Sequence, residues 1–449
     1  MSIRPRVLAV LAALVVTGLV SACGSTAEPA PGGLTYSANP GIYTVGTAIT
    51  PNTPTSNGGA VTLYTVSPAL PSGLALNAAT GVVTGNPTTP TSRAVHMVTG
   101  WNGAGSTSVA LTLGVPGFAF TGRMALAHAF GASVLLSDGK VLVAGGSSVD
   151  GSAPGSSELY DPDTGRFTAT GSLITPRASA TATLLKSGKV LVAGGKTPGT
   201  EELSSAEIYD PVTGLFAPTG SMTVTRSEHV AILLPSGQVL VVGGSLSSRE
   251  TTVTAELYDP ATGTFTATGS MTVARYYPTV TVLKTGKVLV AGGDLTFAAS
   301  AELYDPATGT FARTGDMTCP RNWAAAALLP SGQVLVVGRN QGTWREAELY
   351  DPGTGLFTAT GSMNVGRRSP AAVLLPSGKV LVAGGSPSGT DYLASAELFD
   401  PATGTFTATG SMADGRSRNF AILLQNGAVL VVGGLSAIEA RVSAELYFE

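Results

Sequence analysis

From Phe118 to the C-terminus, short apolar runs alternate with glycine-centred turns in one recurring order. In the fourth copy the runs cover 278–283, 287–291, 300–304 and 310–314, and we call them a, b, c and d. The a–b link centres on Ser-Gly, Asp-Gly, Thr-Gly or Asn-Gly, pairs that supply the positive φ of a tight hairpin. The c–d link reads Asp-Pro-x-Thr-Gly, where Pro fixes one turn dihedral and Gly releases the next. The b run, Val-Leu-Val-Ala or Val-Leu-Val-Val, is apolar on both faces, as befits a strand covered on both sides. Each copy therefore predicts a four-stranded antiparallel sheet. The first copy opens with a d-type run, 118–122, and the chain ends after a c run at Tyr447. Seven d runs and seven a–b–c sets result if the N-terminal d run pairs beside 444–447.

The copies carry fixed marks. Gly pairs stand at Gly145-Gly146, Gly194-Gly195, Gly243-Gly244, Gly292-Gly293, Gly384-Gly385 and Gly433-Gly434, and Gly338 is followed by Arg339 in the fifth copy. An aromatic closes each c run at Tyr160, Tyr209, Tyr258, Tyr304, Tyr350, Phe399 and Tyr447. Consecutive aromatics are 46 to 49 residues apart, close to a kelch period of about 50 and longer than the roughly 40–45 of WD40 repeats. The Gly pair and the following Tyr resemble the kelch repeat, with Phe where kelch has Trp. The fold expected is all-β, a seven-bladed kelch-type β-propeller over 117–449, closed so that no sheet edge is left open.

The segment 34–116 has a different pattern. Runs such as 60–66 and 107–113 alternate apolar and small polar residues, which predicts a small antiparallel β-sandwich. The stretch LPSGLALNAATGVVTGNPT, starting at Leu70, resembles the Ig domains of bacterial surface proteins, with Val83 in place of isoleucine and Asn86 inserted before the proline. Such domains serve as spacers or adhesive modules. Before it, 23–33 is small, polar and rich in Pro and Gly, a flexible tether. Residues 1–22 have Arg4 and Arg6, an apolar run from Val7 to Val20 and a small-residue end, the anatomy of an export signal. Val20-Ser21-Ala22-Cys23 resembles a bacterial lipobox, which implies acylation of Cys23 and a lipid-anchored, exported cell-envelope protein. Gly24 after the cysteine favours the bacterial outer membrane by analogy.

Composition narrows the classes. The formal net charge is −3, and loss of Arg4 and Arg6 with the leader takes it to −5, so nucleic acid is not an expected partner. After cleavage Cys319 is the one cysteine that could remain unmodified, so the fold stands without an internal disulfide. A monomer touching membrane only through its lipid is expected.

Each c-run aromatic from Tyr160 to Phe399 lies 34 residues before the first Gly of the next copy, as Tyr160 does before Gly194 and Phe399 before Gly433. From the second Gly position to the aromatic the interval varies from 11 to 14. Length variation thus sits in the b–c link, and variable loops on a rigid scaffold carry recognition. The b–c and d–a links share one face of a propeller, which becomes the expected binding face. Arg177, Arg226, Arg275, Arg321, Arg367 and Arg416 recur with Glu158, Glu207, Glu256, Glu302, Glu348, Glu397 and Glu445, and His128 replaces the first Arg. They read either as structural ion pairs or as a guanidinium ring for an anion. A ligand without sevenfold symmetry needs residues that break the repeat. Those are Phe130, His229, Tyr276, Tyr277, Asn322, Trp323, Arg368, Arg418 and Asn419 after the recurring Arg, and Arg339, Trp344 and Arg345 in the fifth b–c link.

Kelch propellers include copper-radical galactose oxidases, and the resemblance would imply a Tyr–Cys cross-link, a second Tyr and two His. The histidines are His96, His128 and His229, and only two lie in the repeats, two copies apart. No metal, catalytic residue or cofactor is therefore assigned. The reading is a non-catalytic binding or adhesion protein for a carbohydrate or protein ligand. The alternative is a carbohydrate-active enzyme at the propeller mouth, although Asp150, Asp294, Asp391 and Glu439 fall in separate links.

Overall fold

The computed structural model describes residues 27–147, 155–198, 201–246, 250–294, 299–338, 344–436 and 440–449. The leader, Cys23 and Arg339 lie outside the described residues.

The N-terminal region is all strand and turn. A sheet contains Gly41–Ile42, Gly105–Val115, Thr91–Asn102 and Leu63–Ser67 in that order. Two smaller pairs accompany it: Pro31–Tyr36 with Pro54–Gly58, and Leu74–Leu76 with Val83–Gly85. Leu34, Tyr64, Val83, Val98, Leu111 and Leu113 form the core. Val83, the residue that departs from the Ig pattern, is fully buried there. Gly81 must be glycine: its φ is +71°, and a Cβ would sit 2.6 Å from the Tyr64 ring. Pro31 and Gly32, read from sequence as tether, pair with Gly58 and Asn57. Backbone pairing, which small side chains do not announce, extends the strand into that stretch.

Among the described residues the repeats form seven four-stranded antiparallel sheets. In blade 4 the strands are Thr279–Val282, Val288–Ala291, Ala301–Asp305 and Thr310–Arg313, paired in sequence order. Each innermost strand contacts the next, and Phe420–Leu423 of blade 7 contacts Ala132–Leu135 of blade 1, so the ring closes. Blade 7 takes its outer strand from the start of the repeats. Phe118 pairs with Tyr447 and Ala119 with Leu446, and the Phe118 and Tyr447 rings lie 5.0 Å apart.

Packing follows from the repeat. Every b strand is buried along its whole length, from Val141–Ala144 to Val429–Val432. Its side chains fill the layers between adjacent blades, where burial of an aliphatic side chain contributes about 1.5–3 kcal/mol. The c-strand tyrosines join blades: Tyr209 pairs with Thr170 of the preceding blade at 2.8 Å and Tyr258 with Thr219 at 2.8 Å. The Gly pair marks a close crossing. Gly195 donates its N–H to the Arg226 carbonyl of the next blade at 2.9 Å, and a Cβ on Gly194 would stand 2.6 Å from that oxygen. In the c–d turns the Asp carboxylate accepts the N–H two residues on, as Asp259 does from Ala261 at 2.8 Å.

Candidate functional site

The recurring arginines are structural. Arg226 is fully buried; it donates to the Gly243 and Thr254 carbonyls and to Glu256 at 2.8 Å. The other Arg–Glu pairs span 2.7 to 3.1 Å, each within one blade. The second Glu256 oxygen accepts the Thr223 N–H, so the pair pins the d–a link to strand c. In blade 1 His128 takes this place, with Nε2 3.2 Å from Glu158 and Nδ1 on the Gly145 carbonyl at 2.5 Å. Of the two readings of these arginines, the geometry favours the structural one: both terminal nitrogens of each bond within the blade, while Nε of Arg226, Arg275 and Arg416 is buried without a partner.

Two residues further along, the repeat turns toward the axis. Phe130, Ser179, Glu228, Tyr277, Trp323, Ser369 and Arg418 all have positive φ, between 45° and 59°. Side chains other than glycine rarely adopt this region. Their backbones are chained across blades: Ser179 donates to Phe130, Glu228 to Ser179, Tyr277 to Glu228, Ser369 to Trp323 and Arg418 to Ser369, at 2.7 to 3.1 Å. The seven residues, with those that follow them, line one cavity of about 350 Å³ at the propeller axis. That lies within the roughly 300–1,000 Å³ of small-ligand pockets.

The wall is uneven. The Tyr277 and Trp323 rings meet edge-on at 5.8 Å, with Tyr276 6.1 Å from Trp323. The Arg368 guanidinium lies 3.5 Å from the centre of the Trp323 ring. The Arg418 guanidinium lies 4.6 Å from Trp323 and 4.7 Å from Phe130. A smaller pocket of about 140 Å³ adjoins the cavity and is lined by Phe130, Arg368, Arg418 and Tyr392 among others. Trp323 Nε1 and both amide atoms of Asn419 are buried without hydrogen-bond partners. Unpaired buried polar atoms are uncommon in folded proteins. Burial and the nearby Glu228 carboxylate raise the Tyr277 phenol above the ordinary tyrosine value. His229, whose Nε2 faces Thr181 at 3.1 Å, is held down to about 3 by burial and by the Arg226 charge, so it is neutral at physiological pH.

Phe130, His229, Tyr277, Trp323, Arg418 and Asn419 thus line the cavity, with Tyr276 and Arg368 against them. Asn322 is buried behind the wall, donating to the Asp294 carbonyl at 3.2 Å. Trp344 and Arg345 are not among the lining residues; Arg345 is exposed and bonds the Asn364 carbonyl. Ser179, Glu228 and Ser369 also follow the recurring Arg and line the cavity, although their ordinary side chains kept them out of the candidate set. The signal that finds them is their common offset from the recurring Arg, whatever the side chain. Glu228 is paired with Lys196 at 3.8 Å.

Residues 31–115 match the family model described as "Putative Ig domain". The Ig domain accounts for the N-terminal region, and no curated protein matches the chain. Among solved structures, one described as a novel fungal alcohol oxidase with catalytic diversity among the AA5 family, in complex with copper, is similar. It shares 20% identity at a TM-score of 0.60 over 74% of this chain and 75% of its own. The structure of YjhT shares 13% identity at a TM-score of 0.51 over 64% of this chain and 98% of its own. At these identities the likeness concerns the fold. The residues do not fit a copper centre of the two-His kind: His128 is committed to Glu158 and Gly145, and His229 faces Thr181. Among the described residues no three His, Cys, Asp or Glu side chains converge as a metal set.

Proposed function

We propose that this is a lipid-anchored, non-catalytic binding or adhesion protein of the bacterial cell envelope. It takes a carbohydrate or protein ligand into the axial cavity on the b–c and d–a face, with the Ig domain as spacer. The observation that carries this reading is the break in sevenfold symmetry. Tyr277, Trp323, Arg368 and Arg418 gather flat apolar faces and cations on one side of the cavity, beside unpartnered polar atoms. Aromatic and Arg side chains of this kind dominate binding energy at recognition sites. Glycoside hydrolysis commonly needs two carboxylates flanking the bond. Among the described cavity residues Glu228 is the one carboxylate, and it is paired with Lys196.

Glycan and peptide arrays probed with the mature protein test this. Ligand captured by the wild type should be lost with Trp323→Ala and Tyr277→Ala while each variant still melts cooperatively. A ligand that binds both variants as well as the wild type places recognition elsewhere. For the anchor, metabolic palmitate labelling should disappear in Cys23→Ser, and labelling that persists rejects acylation at that residue.

A further inference from the structure

We infer that Arg368 and Arg418 form an oxyanion subsite at the edge of the axial cavity, which receives a carboxylate or phosphate group of the ligand. This rests on the proposed binding role and says what chemistry the cavity selects. The contrast with the other blade arginines carries it. Arg177, Arg226, Arg275, Arg321, Arg367 and Arg416 each hold a buried Glu. The Arg368 and Arg418 side chains have no ion-pair or hydrogen-bond partner among the described residues. Aromatic faces fix both: Arg368 on Trp323, and Arg418 between Trp323 and Phe130.

The two cations also share the small pocket beside the cavity, where Ser386, Tyr392 and Ser417 supply hydroxyl groups. Their mutual repulsion adds to burial in lowering the Arg368 basicity. The nearest acid in the cavity wall, Glu228, is engaged by Lys196. Two preoriented, unpaired guanidinium groups around a pocket match an oxyanion, which accepts several charge-assisted hydrogen bonds at once. A bound anion would also relieve the repulsion between them.

The mature protein is titrated with phosphate, sulfate and acetate against chloride at matched ionic strength. Tryptophan fluorescence reports on Trp323 beneath Arg368, and the melting temperature reports on binding. At least one oxyanion should give a saturable change that chloride does not. Arg368→Gln and Arg418→Gln should each weaken it about tenfold, the loss of one charge-assisted contact, and the double variant should abolish it. Lys287→Gln, on the a–b side, is the control and should leave it unchanged. Preference for acetate over phosphate and sulfate identifies a carboxylate ligand; the reverse identifies a phosphate. No saturable change beyond chloride, or a change that survives the double variant, overturns the subsite. An array ligand that requires Trp323 yet binds the double variant at full strength also overturns it, while leaving the proposed function standing.

Discussion

Two rings of side chains, two residues apart in every repeat, are built on opposite principles. The first ring is the buried Arg (His128 in blade 1) with its Glu partner. Here backbone and side chain both repeat, because each guanidinium satisfies carbonyls and a carboxylate that would otherwise be buried unpaired. The second ring, Phe130 to Arg418, repeats only its backbone. All seven residues share a left-handed φ, yet their side chains run from Ser to Trp. The blade needs the conformation at that position and is indifferent to the side chain. The second ring is therefore free to vary, and it faces the axis. Structure is held where identity is fixed, and recognition is available where only the dihedral is fixed.

The largest expected effect breaks the first ring. Arg275→Ala leaves Glu302 buried without its cation and should destabilise by about 3–5 kcal/mol. Arg275→His should lose less, since blade 1 already carries a His–Glu pair at 3.2 Å. Denaturant unfolding of the two variants, with binding measured in parallel, checks both the ranking and the claim that this ring does not touch ligand.

The sequence exposes the first ring far better than the second. Repetition of Gly pairs, aromatics, Arg and Glu made strand order and closure through Phe118 readable, because each mark has one physical job. The second ring has no common residue type, so Tyr277 and Trp323 stand out by side chain, whereas Ser179, Glu228 and Ser369 share only their offset from the recurring Arg. Arg368 and Arg418 were visible as cations, but their lack of acid partners depends on which way blades 6 and 7 turn them. Trp344 and Arg345 looked equivalent to the cavity residues, and only their three-dimensional placement separates them from it.

Within the second ring, exchange between blades isolates the side chain from the backbone. Trp323→Ser installs the residue that blades 2 and 6 already carry at φ values of 53° and 51°. Stability should change little beyond the lost ring contacts, while affinity for the ligand should fall by at least about 2 kcal/mol, the loss expected for a binding hot spot. Calorimetry of binding beside a thermal melt makes the comparison.

His229, which follows the second-ring residue Glu228, couples stability to pH. Its folded pKa is held near 3 against 6.5 for the ordinary imidazole. A depressed folded value means that the unfolded chain takes up the proton first, so stability is full above about pH 6.5 and falls as pH drops toward 3. The slope approaches about 1.4 kcal/mol per pH unit for one proton. His229→Gln should flatten the stability profile between pH 6.5 and 5. If the wild-type and variant curves run parallel there, the imidazole is not buried in neutral form.

The smallest effect tests whether the shared dihedral is strained. A residue with a Cβ in the left-handed region is disfavoured by about 1–2 kcal/mol relative to the right-handed one. Glycine removes that strain but gives the unfolded chain more freedom, which offsets about 0.4–1 kcal/mol. Ser369→Gly should therefore stabilise the protein by about 0.5 kcal/mol, read as a small rise in melting temperature. Ser369 lies next to Arg368 and Arg418 in the small pocket, so anion binding in the same variant is the companion measurement. Unchanged binding with a raised melting temperature shows that the ring stores strain without using this side chain. A lowered melting temperature would mean that the chain of backbone bonds through Trp323, Ser369 and Arg418 depends on the stiffness of a residue with a Cβ, and the second ring would then be constrained in more than its dihedral.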